Sequence, residues 1–194
     1  MYNPFTLQGK TILVTGASSG IGRAAAIECS RMGARVIVTG RNEERLKETL
    51  GQLEGEGHAM IVADLSDDAQ LDRLVEQTPV LDGLVNNAGI NDLFPVLFIN
   101  REELSRMLEI NTVAPILQMQ RLLRKKKLVK GASVVFTSSI SGKYIAISGN
   151  ALYSTSKSAI CGFVKNAALE LAVKQIRVNA VCPSLIETPL LYKG

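Results

Sequence analysis

Tyr153 and Lys157 stand four residues apart in the segment YSTSK (153–157). If that segment is helical, both side chains leave one face, a turn apart. A free phenol titrates near pH ~10 and a free ammonium near ~10.4, so neither alone is a ready proton carrier at neutral pH. A cation held within about 4–6 Å shifts a neighbour's pKa by roughly one to three units. The chemistry to expect is therefore a tyrosine made acidic enough for general acid/base work by the lysine beside it. Taken alone, the pair is equally an exposed helix pair. Ser139, at the end of the strand-like run ASVVFTSS (132–139), and a nucleotide site upstream count against that incidental reading.

A second constellation, TGASSGIG (15–22), follows a short apolar run and opens a helical one, the context that turns a glycine pattern into a phosphate site. Gly16 permits a tight turn, Gly20 lets the backbone approach a pyrophosphate, and Gly22 lets helix and strand pack closely. Free amides at the helix start, from Ser19 through Ile21, face the anion with help from the Ser18 and Ser19 hydroxyls and the helix dipole. The competing reading is a plain strand-to-helix turn. A site for NAD places a carboxylate at the end of the second strand, about 20 residues beyond the glycines. Here that place reads Val38, Thr39, Gly40 and then Arg41, whose guanidinium suits a 2'-phosphate. NADP is therefore favoured over NAD, with Glu43 and Glu44 nearby arguing the other way.

These groups need a scaffold, and strand-like and helix-like patterns alternate along the whole chain. That order predicts an α/β fold: a Rossmann-like, doubly wound parallel sheet with helices on both faces, in three layers. Strands are expected at 11–16, 35–40, 59–64, 82–89, 132–139 and 176–183. The first helix carries a stripe of Ile21, Ala25, Cys29 and Met32 and stops at Gly33. Asn42 caps the next, with Leu46, Leu50 and Leu53 inward. Ser66 is expected to cap a third, with Leu71, Leu74 and Val75 inward. Asn100 and Glu103 form a capping box for a long helix to about Lys127. Residues 152–174 form the helix that carries Tyr153 and Lys157. Pro115 lacks an amide hydrogen, so the Asn111 carbonyl loses its helical partner and a kink is expected there.

The 194 residues suffice for one domain, 1–194, with a substantial core. With 46% apolar and 21% charged residues, the composition is that of a globular protein rather than a disordered one. The net charge of +4 is scattered except at Arg124 to Lys127, a run read as solvated cations at a helix end; no nucleic-acid partner is expected. Cys29, Cys161 and Cys182 show neither a disulfide framework nor a metal spacing, and read as buried thiols of a cytoplasmic protein. His58, the one histidine, opens an apolar run, which leaves no Ser-His-Asp triad around Ser138 or Ser139. No basic-then-apolar leader or run of ~18 apolar residues is present, so no membrane partner is expected.

In order and spacing, TGASSGIG, NNAG (86–89), Asn111, SSISG (138–142), YSTSK and CPSLIET (182–188) resemble the short-chain dehydrogenase/reductase family over essentially the whole chain. Within it the chain is most similar to bacterial reductases that include the 3-oxoacyl-[acyl-carrier-protein] reductases. The resemblance implies an NAD(P)-dependent oxidoreductase that moves hydride between nicotinamide and a carbonyl or secondary alcohol. Ser139 would bond the substrate oxygen, Tyr153 would transfer the proton, and Lys157 would bind the nicotinamide ribose and stabilise the phenolate, with the positive charge of the bound oxidised nicotinamide pushing the same way. The Asn111 carbonyl would hold a water beside Lys157 and extend a proton relay. Asp64, with Leu65 beside it, would bond the adenine, and Asn87, Ala88 and Gly89 would line the cofactor. On the segment after the sixth strand, Pro183, the Ile186 backbone and Thr188 would flank the nicotinamide carboxamide. A small carbonyl or alcohol substrate, free or linked to acyl-carrier protein, and a homodimer or homotetramer are implied too.

Three features depart from that pattern. Ser19 stands where many NADP-preferring members carry a basic residue, so Arg41 carries the cofactor preference almost alone. Ser184 replaces a usual glycine. The sequence given stops at Gly194, before the lid helices and seventh strand of the family: either it is part of a longer protein, the favoured reading, or it is a truncated product, and without the seventh strand the sixth would be an exposed sheet edge. The alternative function is a catalytically silent nucleotide-binding or interaction protein on the same scaffold. Ile140, Ile145, Ile147 and Leu185 form an expected apolar wall, or part of the core.

Overall fold

The structure is a computed structural model and describes residues 3–189. Six parallel strands form one sheet: β1 (Thr11–Thr15), β2 (Arg35–Gly40), β3 (Ala59–Val62), β4 (Leu81–Asn86), β5 (Leu128–Thr137) and β6 (Arg177–Val181). Their order is β3-β2-β1-β4-β5-β6. The chain therefore winds outward from β1 in one direction and then from β4 in the other. Ligands of such sheets settle where the winding reverses, outside the carboxyl ends of the strands, here between β1 and β4.

Strand periodicity divides the core. Ile12, Val14, Val36 and Val38 point to one face and pack with Ala26 and Leu46. Leu13, Ile37, Leu84, Val134 and Phe136 point to the other and pack with Leu71, Leu74, Met119, Leu122 and Ile160. The first face is covered by α1 (Gly20–Arg31) and α2 (Glu43–Leu50). The second is covered by α3 (Asp68–Gln77), α5 (Ala114–Arg124) and α6 (Ala151–Leu171). Among the described residues the first face has its helices only over β1 to β3, and β6 is a sheet edge.

Four expectations need correction. The inward side of α1 is Gly22, Ala26 and Ser30 rather than the stripe through Ile21 and Cys29, because close approach to the sheet selects small residues over apolar ones. Asp67, not Ser66, caps α3 by accepting from the Gln70 amide, while Ser66 bonds Asp64. The long helix is interrupted: α4 (Arg101–Leu108) passes into a π turn at Glu109–Val113 before α5 begins. Pro115 cannot donate to the Asn111 carbonyl, and one extra residue per turn absorbs the break. Asn100 caps α4 as expected, but the Glu103 carboxylate turns to Arg106 instead of closing a capping box.

In the basic run, Arg124, Lys125 and Lys126 are exposed, as solvated cations at a helix end should be, and Lys127 is engaged. Lys126 takes a left-handed φ of 55°, which ends α5 early and lets β5 start at Leu128. Lys127 then donates to the Thr78 carbonyl (2.6 Å) at the C-terminus of α3, the helix end that favours a cation.

Candidate active site

The carboxyl ends of β1, β2, β4, β5 and β6 open onto one cleft of about 760 Å³. Gly16 and Gly20 hold left-handed φ values of 63° and 55° at its floor. A Cβ on Gly16 would lie 2.8 Å from the Ala88 backbone, and one on Gly22 would lie 2.3 Å from the Gly16 carbonyl oxygen. No side chain fits either place, so the turn presses against the loop after β4 and exposes backbone amides at the start of α1. Ser19 takes the N-cap position there without using its hydroxyl as a cap. This cradle fits the pyrophosphate of a dinucleotide.

Two residues that hold the cradle escape a motif reading. The buried Thr15 hydroxyl accepts from both the Asn87 and Ala88 amides, each at 3.0 Å, and so locks β1 to the β4 loop. Arg23 reaches back to the Ser18 carbonyl (2.7 Å) and across to the Arg45 carbonyl and Glu48. A threonine inside an apolar strand and a cation one residue after Gly22 are the signals available beforehand.

Arg41 lies at the end of β2 with its side chain 62% exposed, 3.8 Å from Asp64. Asp64 and Leu65 line the same end of the cleft. The other end is apolar: Ile145, Ile147 and Leu185 line it and are 42%, 44% and 71% exposed, so they are wall rather than core. Ile140 and Ile186 complete that wall. Thr188 comes within 3.2 Å of the place a Gly20 Cβ would occupy, bringing the segment after β6 across to α1. The Pro183 carbonyl accepts from Ile140 (3.1 Å), which fixes that segment to the end of β5. Ser184 adopts no left-handed φ, so its serine is accommodated without strain.

Ser139, Tyr153 and Lys157 line the cleft between these ends. Ser139 follows β5 and accepts from the Ser141 amide (3.1 Å). Its hydroxyl acts on the Tyr153 phenol and favours its ionised form. Lys157 is 4% exposed; its Nζ donates to the Thr137 carbonyl (2.8 Å) and sits 5.6 Å from the centre of the Tyr153 ring. Gly142 makes room for this helix, since a Cβ there would fall 2.9 Å from Lys157 backbone and side-chain atoms.

Asn111 has a structural task. Its Oδ1 accepts from the Ile90 amide (2.8 Å), while its Nδ2 donates to the Ile90 carbonyl (2.9 Å) and to Ser156 (3.0 Å). The π turn thus staples the β4 loop to α6, with Gly89 between Asn111 and Lys157.

Burial governs the titration of both central groups. It pushes Lys157 down from 10.5 to about 8 and pushes Tyr153 up, against a lowering hydrogen bond from Ser139. Among the chain's own groups, burial rather than the charge of Lys157 sets the direction of the Tyr153 shift. Both side chains are held toward their neutral forms.

His58 is far from this chemistry. Its Nδ1 accepts from the Val36 amide (3.0 Å) near the amino ends of the strands. The three cysteines are free, and each is half-buried rather than fully buried. No group of three or more metal-ligating side chains occurs among the described residues.

The family described as short chain dehydrogenase matches residues 10–193. The chain belongs to that family. It is 34% identical over 190 residues to the 3-oxoacyl-[acyl-carrier-protein] reductase FabG of Rickettsia felis, covering 96% of this chain and 77% of the relative. A short chain dehydrogenase from Burkholderia cenocepacia in complex with NADP superposes with a TM-score of 0.90 at 32% identity, covering 95% of this chain and 77% of that one. A 3-ketoacyl-(acyl-carrier-protein) reductase from Brucella melitensis complexed with NADH gives a TM-score of 0.87 at 29% identity, covering 96% and 79%. This short-chain dehydrogenase is thus an NAD(P)-dependent oxidoreductase. Among its described residues, no helix is long and apolar enough to cross a membrane.

The buried lysine has a consequence for stability. Below pH 8 it is charged in native and unfolded chains, and the native state alone bears its burial. Between about 8 and 10.5 the unfolded chain keeps a proton that the native chain gives up, so stability rises with pH in that window. The shift corresponds to a net cost of the buried charge on the order of 3 kcal/mol, of which a substitution recovers only part because it leaves the Thr137 carbonyl without its donor. Lys157→Met is expected to raise the unfolding free energy at pH 7 by about 1–2 kcal/mol and to flatten the rise above pH 8. Urea unfolding across pH checks both; a destabilised variant with the parent's pH slope contradicts the assignment.

Proposed function

We propose that the chain is an NADP-dependent carbonyl reductase in which Tyr153 is the proton donor. The observation that carries this reading is the convergence of Ser139, Tyr153 and the buried Lys157 beside a glycine cradle at the reversal of the sheet. Bound NADPH supplies the hydride. Ser139 would hold the substrate oxygen at the phenol, and Tyr153, kept protonated by burial, would donate to that oxygen. Lys157 would hold the nicotinamide ribose and stabilise the phenolate left behind, and its titration near 8 lets it return a proton at neutral pH. Asn111 would serve chiefly by fixing the β4 loop, with its main-chain carbonyl as the next step of a proton relay.

Arg41 supports NADP over NAD: it is an exposed guanidinium at the lip of the cleft, and among the described residues its one ion-pair partner is Asp64, at 3.8 Å. The apolar end at Ile145, Ile147 and Leu185 supports a substrate with a hydrocarbon flank, free or carried on acyl-carrier protein.

NADPH oxidation over a panel of ketones is expected to fall at least a hundredfold for Tyr153→Phe, within the range typical of a lost general acid. Equal rates in parent and variant would remove Tyr153 from the mechanism and leave a nucleotide-binding scaffold. Arg41→Ala is expected to weaken NADPH binding about tenfold or more, as for loss of a charge-assisted hydrogen bond, and to leave NADH binding nearly unchanged. Equal losses for both cofactors would refute the 2'-phosphate assignment.

A further inference from the structure

Three helices of this chain open with an Asn or Asp that closes the first turn. Asn42 accepts from the Arg45 amide, Asp67 from Gln70 and Asn100 from Glu103. Asn150 opens α6 and makes no such bond, although it is only 3% exposed. Its Oδ1 is buried without a hydrogen-bond partner among the described residues, and so is Oδ1 of Asn91. Both residues line the cleft that holds Tyr153. An unused cap forgoes about 1 kcal/mol, and each buried acceptor without a donor costs about 1–3 kcal/mol. These costs fall together at one place, the substrate end of the cleft.

The backbone that carries the two amides is also held firmly. Asn91 follows Ile90, whose amide and carbonyl are both bonded by Asn111. The Phe94 amide donates to the Gly149 carbonyl (2.7 Å), tying the Asn91 loop to the turn that carries Asn150. Asn150 stands three residues before Tyr153, on the same side of α6. The last torsion of an asparagine is soft, so either oxygen can turn from the wall into the cleft at little cost.

We propose that Asn91 and Asn150 are specificity-determining residues that accept hydrogen bonds from a hydroxyl carried beside the reacting carbonyl, so that the preferred substrates are 2-hydroxy ketones. This inference rests on the reductase reading above. A site built to bond a substrate hydroxyl rejects the analogue that lacks it, because its acceptors are then left unpaired.

The test compares 2-hydroxycyclohexanone with cyclohexanone. The parent is expected to show a kcat/KM ratio of about tenfold or more in favour of the hydroxy ketone. Asn150→Leu should bring the ratio below about twofold, whereas Asn150→Asp, which keeps an acceptor, should retain it. Asn91→Leu, on a different element, reports the same loss if Asn150→Leu does not fold. A parent ratio near one, or a ratio unchanged in both leucine variants, overturns the proposal. If neither ketone is reduced, the reductase reading fails instead. Calorimetry on NADPH-loaded protein then decides the amide pair: tighter binding of the hydroxy ketone, lost in the leucine variants, supports it, and equal affinities overturn it.

Discussion

A positive charge buried under a helix is the constraint around which this protein is arranged. Lys157 Nζ has the Thr137 carbonyl as its hydrogen-bond partner and is almost wholly shielded from water. Water is what normally pays to keep an ammonium charged, so its removal drags the group toward neutrality and costs stability. The surroundings show how the position is nonetheless kept. Gly142 lets the end of β5 approach the lysine backbone, Ser138 donates to the Lys157 carbonyl (2.9 Å), and Thr112 donates to the Ser156 carbonyl (3.0 Å). Stability is surrendered at the site where chemistry is proposed, and neighbouring hydrogen bonds restore the geometry.

The parallel sheet makes that arrangement possible from segments distant in sequence. Each crossover returns the chain to the same edge, so residues 15–22, 86–90, 137–142, 153–157 and 183–188 meet at one end. Thr15 then joins the first two segments, Asn111 joins the second to α6, and the Pro183 carbonyl joins the fifth to the third by accepting from Ile140. The result is a cleft graded along its length, with guanidinium and carboxylate at the β2 end and hydrocarbon at the β6 end. A dinucleotide with a charged adenosine end and a flat reactive end suits that gradient.

Motifs that depend on backbone shape were readable from residue types, because only glycine satisfies them. Gly16 and Gly22 stand where any Cβ would collide with the main chain, and their roles follow from the sequence pattern alone. Asn42 and Asn100 cap their helices as their type predicts. Long-range partnerships were not readable. Nothing in the local pattern says that Thr15 will accept two amides 72 and 73 residues away, or that Asn111 will grip Ile90. Pro115 signalled a break but not its form as a π turn. Charge proximity can be read from a four-residue spacing, whereas the burial that raises Tyr153 is a property of the assembled fold.

Burial raises the Tyr153 pKa in the chain alone, and the proposed mechanism has the oxidised nicotinamide ring add a second positive charge beside Lys157. Titration of ring-labelled tyrosine by nuclear magnetic resonance, with Tyr153→Phe to assign the signal, tests it most directly. The account predicts that Tyr153 ionises above pH ~10 in the protein alone and well below that value when NADP+ is bound. An unchanged titration on adding NADP+ would contradict it.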